Sequence, residues 1–135
     1  DIQGMRVQRG GTWQPLAAPR HALIDTGTAE TYVSEPLAAG FAEAGMPASA
    51  ARLPSLASLP SFEIELAGGT KLVYHPEDYM AEASGGWRTT VHTHDPKVHA
   101  LFGATPLMLL GIAHLRGLYL DFDLEGQSLG FARLL

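Results

Sequence analysis

The alternation of apolar and polar residues changes rhythm several times along this chain, and each change predicts an element. Met5 and Val7 alternate with Arg6 and Gln8, so Gly4 to Arg9 predicts a half-buried strand. Gly10-Gly11 supplies a turn into a return strand or irregular crossing begun by Thr12-Trp13, and Pro15 and Pro19 mark a loop. Ala22-Leu23-Ile24 is contiguous rather than alternating, which predicts a short, fully buried strand running into Asp25. Ser34 is placed to cap a helix with Glu35 and Pro36 in its first turn. That helix continues through Leu37, Phe41 and Ala44 and stops at Gly45-Met46-Pro47. Residues 48 to 60 form a surface connection rich in Ala, Ser, Leu and Pro.

The second half repeats the strand rhythm. Phe62, Ile64 and Leu66 alternate with Glu63 and Glu65, predicting one buried and one wet face. Gly68-Gly69 turns the chain into Lys71 to His75, giving a hairpin, and Pro76-Glu77-Asp78-Tyr79 predicts a single helical turn. Residues 84 to 100 are polar and contain histidine, with a strand through Arg88 to His92. Leu107 to Leu110 is a second contiguous buried run, closed by Gly111. Leu118, Leu120 and Phe122 alternate with Tyr119, Asp121 and Asp123; Glu125-Gly126-Gln127 turns, and Leu129 to Ala132 returns. Eight or so short strands with about two short helices predict a mainly β fold. No repeat or linker divides it, so residues 1–135 read as a single domain.

Bulk composition narrows the function. A chain of 135 residues, 46% hydrophobic and 17% charged, has the makings of one real core rather than of disorder. The net charge of -5 and the scattering of nine Lys and Arg argue against nucleic acid as a partner. With no cysteine, disulfides, thiol chemistry and Cys-type zinc sites are excluded. The apolar stretch Leu101 to Leu115 is too short and too broken, by Gly103, Pro106, Gly111 and His114, for a transmembrane segment, and no signal-peptide pattern opens the chain.

Candidate chemistry sits where the first apolar run ends, at Asp25-Thr26-Gly27. Gly27 permits a tight turn that brings amide N–H groups towards the carboxylate, and Thr26 and Thr28 add hydroxyl donors. Donors aimed at the charged form keep a buried Asp ionised or able to share a proton. The alternative is an Asp that caps a turn, but the preceding apolar run predicts burial, where an uncompensated charge is costly.

With Thr28 behind it and Leu109-Leu110-Gly111 later in the chain, this motif resembles the pepsin-type aspartic peptidases. "LPSFEIELAGGTKLVYHPEDYM" (Leu59 to Met80) resembles the hairpin of that family's C-terminal lobe, and "LLGIAHLRGLYLDFDLEGQSLGFA" (Leu109 to Ala132) resembles its closing segment. The resemblance covers most of residues 4 to 133 and implies a C-terminal lobe with barrel-like β-sheets. It also implies an aspartic endopeptidase, with two Asp residues from two lobes holding one proton and one water. On that resemblance Asp25 is the catalytic residue, and Thr26, Gly27, Thr28, Leu110 and Gly111 support the active-site loop. Thr26 would bridge across the lobe interface. No cofactor and no metal are implied, and the substrate would be a peptide or protein. Compartments implied are secretory, vacuolar or organellar, which the absence of cysteine weakens.

Three departures bear on this. Only one Asp-Thr-Gly is present, so the second carboxylate must come from an N-terminal lobe or a second chain. Ile112 follows Gly111 where the family usually has Asp, and the segment between the helix and Leu59 is short. Two alternatives therefore stand beside the peptidase lobe: a non-catalytic pepsin-fold subunit of a larger assembly, and a retroviral-type homodimeric peptidase in which Asp25 faces its own copy.

Two further signals are weighed. His92, His94 and His99 with Asp95 could suggest a metal, but a polar loop with exposed imidazoles is the stronger reading. Asp121, Asp123 and Gly126 mimic a calcium loop, yet its twelfth position is Ala132, so Asp123 is read as a residue facing a hairpin turn. Trp13, Trp87 and Tyr79 are read as core or lobe-packing residues.

Overall fold

In the computed structural model, residues 1–48, 52–95 and 107–134 are described. The fold is mainly β with a few short helices. Its first sheet has the order β2-β1-β6-β7, made of Thr12–Leu16, Ile2–Arg9, Phe62–Leu66 and Lys71–Tyr74, all antiparallel. Pro15, expected in a loop, lies within β2. It is tolerated because β2 is an edge strand, where a missing N–H breaks no ladder.

The alternating strand β6 lies in the middle of this sheet. Phe62 and Ile64 are buried as the alternation predicts, but Glu63, expected on a wet face, is only 6% exposed. The correction has a cross-strand cause: Arg6 is its register partner on β1 and donates from Nε at 3.1 Å and from Nη2. Lys71 Nζ on β7 stands 3.7 Å from the same oxygen. The carboxylate is thus covered by the aliphatic stems and cations of its neighbours.

A second sheet, of order β10-β4-β11-β3, carries the site. Its strands are β3 (His21–Ile24), β4 (Thr31–Val33), β10 (Val91–Thr93) and β11 (Leu107–Leu110). β11 runs parallel to β3 and antiparallel to β4, while β10 is parallel to β4. The consecutive strands β3 and β4 are therefore not neighbours, because β11 is inserted between them. The connection 25–30 has to arch over the C-terminal end of β11.

Leu110 is fully buried, but β3 is not the buried strand its contiguous apolar run predicts: Leu23 is 38% exposed. The reason is again position, since β3 forms the sheet's edge. The expected strand through Arg88 to His92 is in fact two. β9 (Gly86–Thr89) pairs with β8 (Met80–Ala83) and with β5 (Arg52–Leu53), which lies within the expected surface connection. At Thr90 the chain leaves that sheet for β10; its N–H and hydroxyl both donate to the Tyr79 carbonyl, and its own carbonyl accepts from Thr31 N–H at 2.9 Å.

The helix α1 (Glu35–Glu43) buries Leu37, Ala38 and Phe41 and ends with Met46 N–H donating to the Phe41 carbonyl. Ser34 occupies the N-cap position, but its hydroxyl makes no capping hydrogen bond. α2 is the predicted single turn, Pro76–Tyr79, its start closed by His75 N–H donating to Asp78 Oδ2. A further short helix, α3 (Ile112–Leu115), follows Gly111 directly. β12 (Leu118–Asp123) and β13 (Ser128–Arg133) form a separate two-stranded sheet.

The core centres on Phe62, whose ring lies 5.0 Å from Tyr74, 5.6 Å from Tyr79 and 5.7 Å from Phe41 between centroids. Tyr79 is thus a core residue, Trp87 packs partly buried against the core, and Trp13 is half-buried. No helix among the described residues is long and apolar enough to cross a membrane.

Candidate active site

Asp25 follows the last residue of β3, and its N–H donates to the Leu110 carbonyl at 3.0 Å, tying the strand end to β11. Its carboxylate takes two donors from the loop it begins. Gly27 N–H donates to Oδ1 at 2.8 Å, and the Thr28 hydroxyl donates to Oδ2 at 2.5 Å. A Cβ at position 27 would lie 3.1 Å from Oδ1, so the glycine keeps the amide close to the carboxylate. The Thr28 hydroxyl, followed by the Gly27 amide, holds the Asp25 carboxyl below the ordinary carboxylate range. Thr26 does not share in this; it is exposed at the loop tip.

Gly111 has the closest approach of any described glycine. A Cβ there would sit 2.1 Å from the Glu30 carbonyl oxygen and 2.7 Å from that of Thr28, both backbone atoms of the arching loop. Only a residue without a side chain lets β11 end this close beneath it. Past Gly111 the loop is stitched down by Ile112 N–H to the Thr28 carbonyl at 2.8 Å and Ala113 N–H to the Ala29 carbonyl at 3.0 Å. Of the residues expected at the site, Asp25, Gly27, Thr28, Leu110 and Gly111 are therefore assembled directly.

The surface around the loop is apolar on one side and ionic on the other. Leu23 at 38% and Ile112 at 48% exposure belong to the segments that meet at Asp25. Glu30 Oε1 accepts from Arg88, and its Oε2 lies 2.7 Å from His92 Nε2. The Tyr32 ring contacts two imidazoles, 5.8 Å from His92 and 5.9 Å from His94 by centroids. A cleft of about 400 Å³ is lined by Thr28, Tyr32, His94, Asp95 and Leu109, so Thr28 both borders it and bonds to Asp25.

The imidazoles expected to be exposed are not: His94 is buried and His92 half-buried on β10, while His99 lies outside the described residues. Among those described, no three His, Asp or Glu side chains come together as a metal site. Asp123 accepts the Gly126 N–H at 2.8 Å in the β12–β13 turn, between strands rather than helices. Two residues were missed in the sequence. Thr31 and His114, both buried, are hydrogen bonded to each other directly behind Gly111. The available signal was a histidine standing alone in the apolar run that follows Gly111.

No protein-family model matches this chain, and no curated protein is similar enough to count as a relative.

Proposed function

We propose that this chain is a pepsin-type lobe of an aspartic endopeptidase and contributes Asp25 to a two-aspartate dyad. The observation that carries this reading is the carboxylate itself, oriented by Gly27 N–H and the Thr28 hydroxyl on a loop that β11 supports from beneath. A carboxylate so held is ionised on its own. Brought against a second carboxylate, the two cannot both ionise, and the pair takes up one shared proton.

The chemistry then follows from that proton and one water. The ionised carboxylate removes a proton from the water as its oxygen bonds to the peptide carbonyl carbon. The other carboxylate gives its proton to the carbonyl oxygen, and the resulting diol collapses with proton transfer to nitrogen and cleavage of the C–N bond. The cleft bordered by Thr28 and Tyr32 is where substrate side chains beside the scissile bond would lie.

The second carboxylate comes from another lobe or chain. Exposed Leu23 and Ile112 favour a partner packed over the Asp25 loop. A second copy related by a two-fold axis supplies an identical Asp25, and an unlike lobe supplies its own. A second reading, a non-catalytic pepsin-fold subunit, is favoured by Ile112, an apolar side chain where the family's closing motif is polar.

The test is hydrolysis of an unfolded protein substrate between about pH 3 and 6 by the intact assembly and by Asp25→Asn, with the mass of the assembly measured alongside. Loss of cleavage in Asp25→Asn, with the assembly intact, supports the peptidase. Unchanged cleavage overturns the role of Asp25, and an assembly that never cleaves but depends on this chain for cohesion supports the subunit reading.

A further inference from the structure

Beneath the Asp25 loop runs a buried polar chain that the dyad chemistry does not use. Thr31, the first residue of β4, has no exposed surface, and its Oγ1 accepts the Gly111 N–H at 3.2 Å. The same oxygen is 2.7 Å from Nδ1 of His114, itself buried on α3. With Gly111 donating into the hydroxyl oxygen, the hydroxyl's own hydrogen finds an acceptor in Nδ1 of His114 when the imidazole proton is on Nε2, a buried atom with no hydrogen-bond partner of its own. The ring meets Tyr74 in a T-shaped contact, centroids 5.0 Å apart, and lies 6.0 Å from Phe62.

We propose that His114, acting through Thr31 as a neutral hydrogen-bond acceptor, is a positioning residue that locks Gly111 under the Asp25 loop and so fixes the direction of the carboxylate. Its catalytic meaning rests on the peptidase reading; the lock itself is a property of this chain alone.

Only the neutral imidazole fills this role. A second proton would turn Nδ1 into a donor facing a hydroxyl that must then release its hydrogen elsewhere, and would place a charge among Phe62 and Tyr74. Tyr74 on β7 touches the ring and the charge of Arg116, at the end of α3, acts on it; α2, which carries Glu77, Asp78 and Tyr79, packs against α3. Asp78 is engaged by the His75 N–H and lies 3.7 Å from Arg133, while Arg116 donates to the Glu77 carbonyl. Burial first, and the Arg116 charge second, push the imidazole down to about 3. The lock therefore holds through the acid range in which a carboxylate dyad works, and opens as the pH falls through that value.

The experiment is nuclear magnetic resonance on the whole chain: the imidazole nitrogens of His114 followed against pH, and amide hydrogen exchange in wild type, His114→Leu and His114→Asn. We expect the Nε2-protonated tautomer, neutral down to about pH 3. At about pH 5, His114→Leu should speed Gly111 exchange about tenfold relative to Ile64 in β6, because an unpaired buried hydroxyl replaces the link. His114→Asn puts a carbonyl oxygen near the place of Nδ1, so it should restore protection and remove its loss at low pH. Where cleavage is measured, His114→Leu should lower kcat with KM unchanged.

Gly111 exchange unchanged within about twofold in His114→Leu, or titration of His114 near its ordinary value, overturns the proposal. If His114→Leu does not fold, His114→Asn and the wild-type titration still decide it. An intact assembly that cleaves no peptide, while this chain shows the exchange pattern, would sink the peptidase reading and leave the lock standing.

Discussion

Replacing Gly111 by Ala adds one carbon atom at the point where β11 passes under the Asp25 loop. That carbon would sit 2.1 Å from the Glu30 carbonyl oxygen and 2.7 Å from the Thr28 carbonyl oxygen. Neither is the end of a flexible side chain, so relief requires the loop backbone to retreat by about an ångström to regain ordinary contact. The bonds that would stretch are Ile112 N–H to Thr28, Ala113 N–H to Ala29 and Gly111 N–H to Thr31 Oγ1. Each contributes about 1 kcal/mol net, with more lost where a buried donor is left unpaired, so the substitution should cost roughly 2–4 kcal/mol. Gly117→Ala is the control, because nothing lies within 4 Å of a Cβ there.

Urea unfolding followed by the fluorescence of Trp13 and Trp87, at one fixed protein concentration, measures the difference from the midpoint shift at constant slope. If Gly111→Ala proves as stable as Gly117→Ala to within about 0.5 kcal/mol, the close approach is not a structural requirement. β11 would then not be what supports the Asp25 loop.

Other perturbations address the site and the sheet that backs it. Thr28→Val deletes the strongest of the donors to Asp25, so the Asp25 carboxyl should rise towards its ordinary value. The acid limb of any cleavage activity should move to higher pH, and a carbon-detected titration of Asp25 that shows no rise would refute this. Because the folded Asp25 carboxyl lies below its unfolded value, its contribution to stability is present above the ordinary carboxylate range and is lost as the pH falls through the depressed one. Arg6→Ala uncovers Glu63 and leaves it with Lys71 alone, which should destabilise the fold by about 1–3 kcal/mol. Urea midpoints equal to wild type would count against that.

The parts of this structure that sequence disclosed were those decided by neighbours in sequence. The β6–β7 hairpin followed from alternation broken by Gly68-Gly69, and the contacts of Gly27 and Thr28 with Asp25 lie within three residues of it. What failed were properties decided by strands arriving from elsewhere. Glu63 looked wet because Arg6 and Lys71 sit on other strands. The run Ala22-Leu23-Ile24 looked central, although only the sheet order makes β3 an edge. The strand through Arg88 to His92 broke at Thr90 because β10 was claimed by β4. Gly111 was legible through a resemblance alone, and the pairing of Thr31 with His114 spans 83 positions that no local pattern reports.

The insertion of β11 between β3 and β4 also dictates the order in which the molecule becomes competent. Asp25 and its two donors are made well before Leu107–Leu110, the strand that passes beneath them. Closing so long a loop costs entropy before any of the stitching bonds repay it, which makes this a slow, late contact. Until residues 107–111 have been made and threaded, β3 and β4 have no common neighbour and the carboxylate has no fixed direction. The nascent chain is thereby kept from fixing the Asp25 carboxylate until β11 has been made.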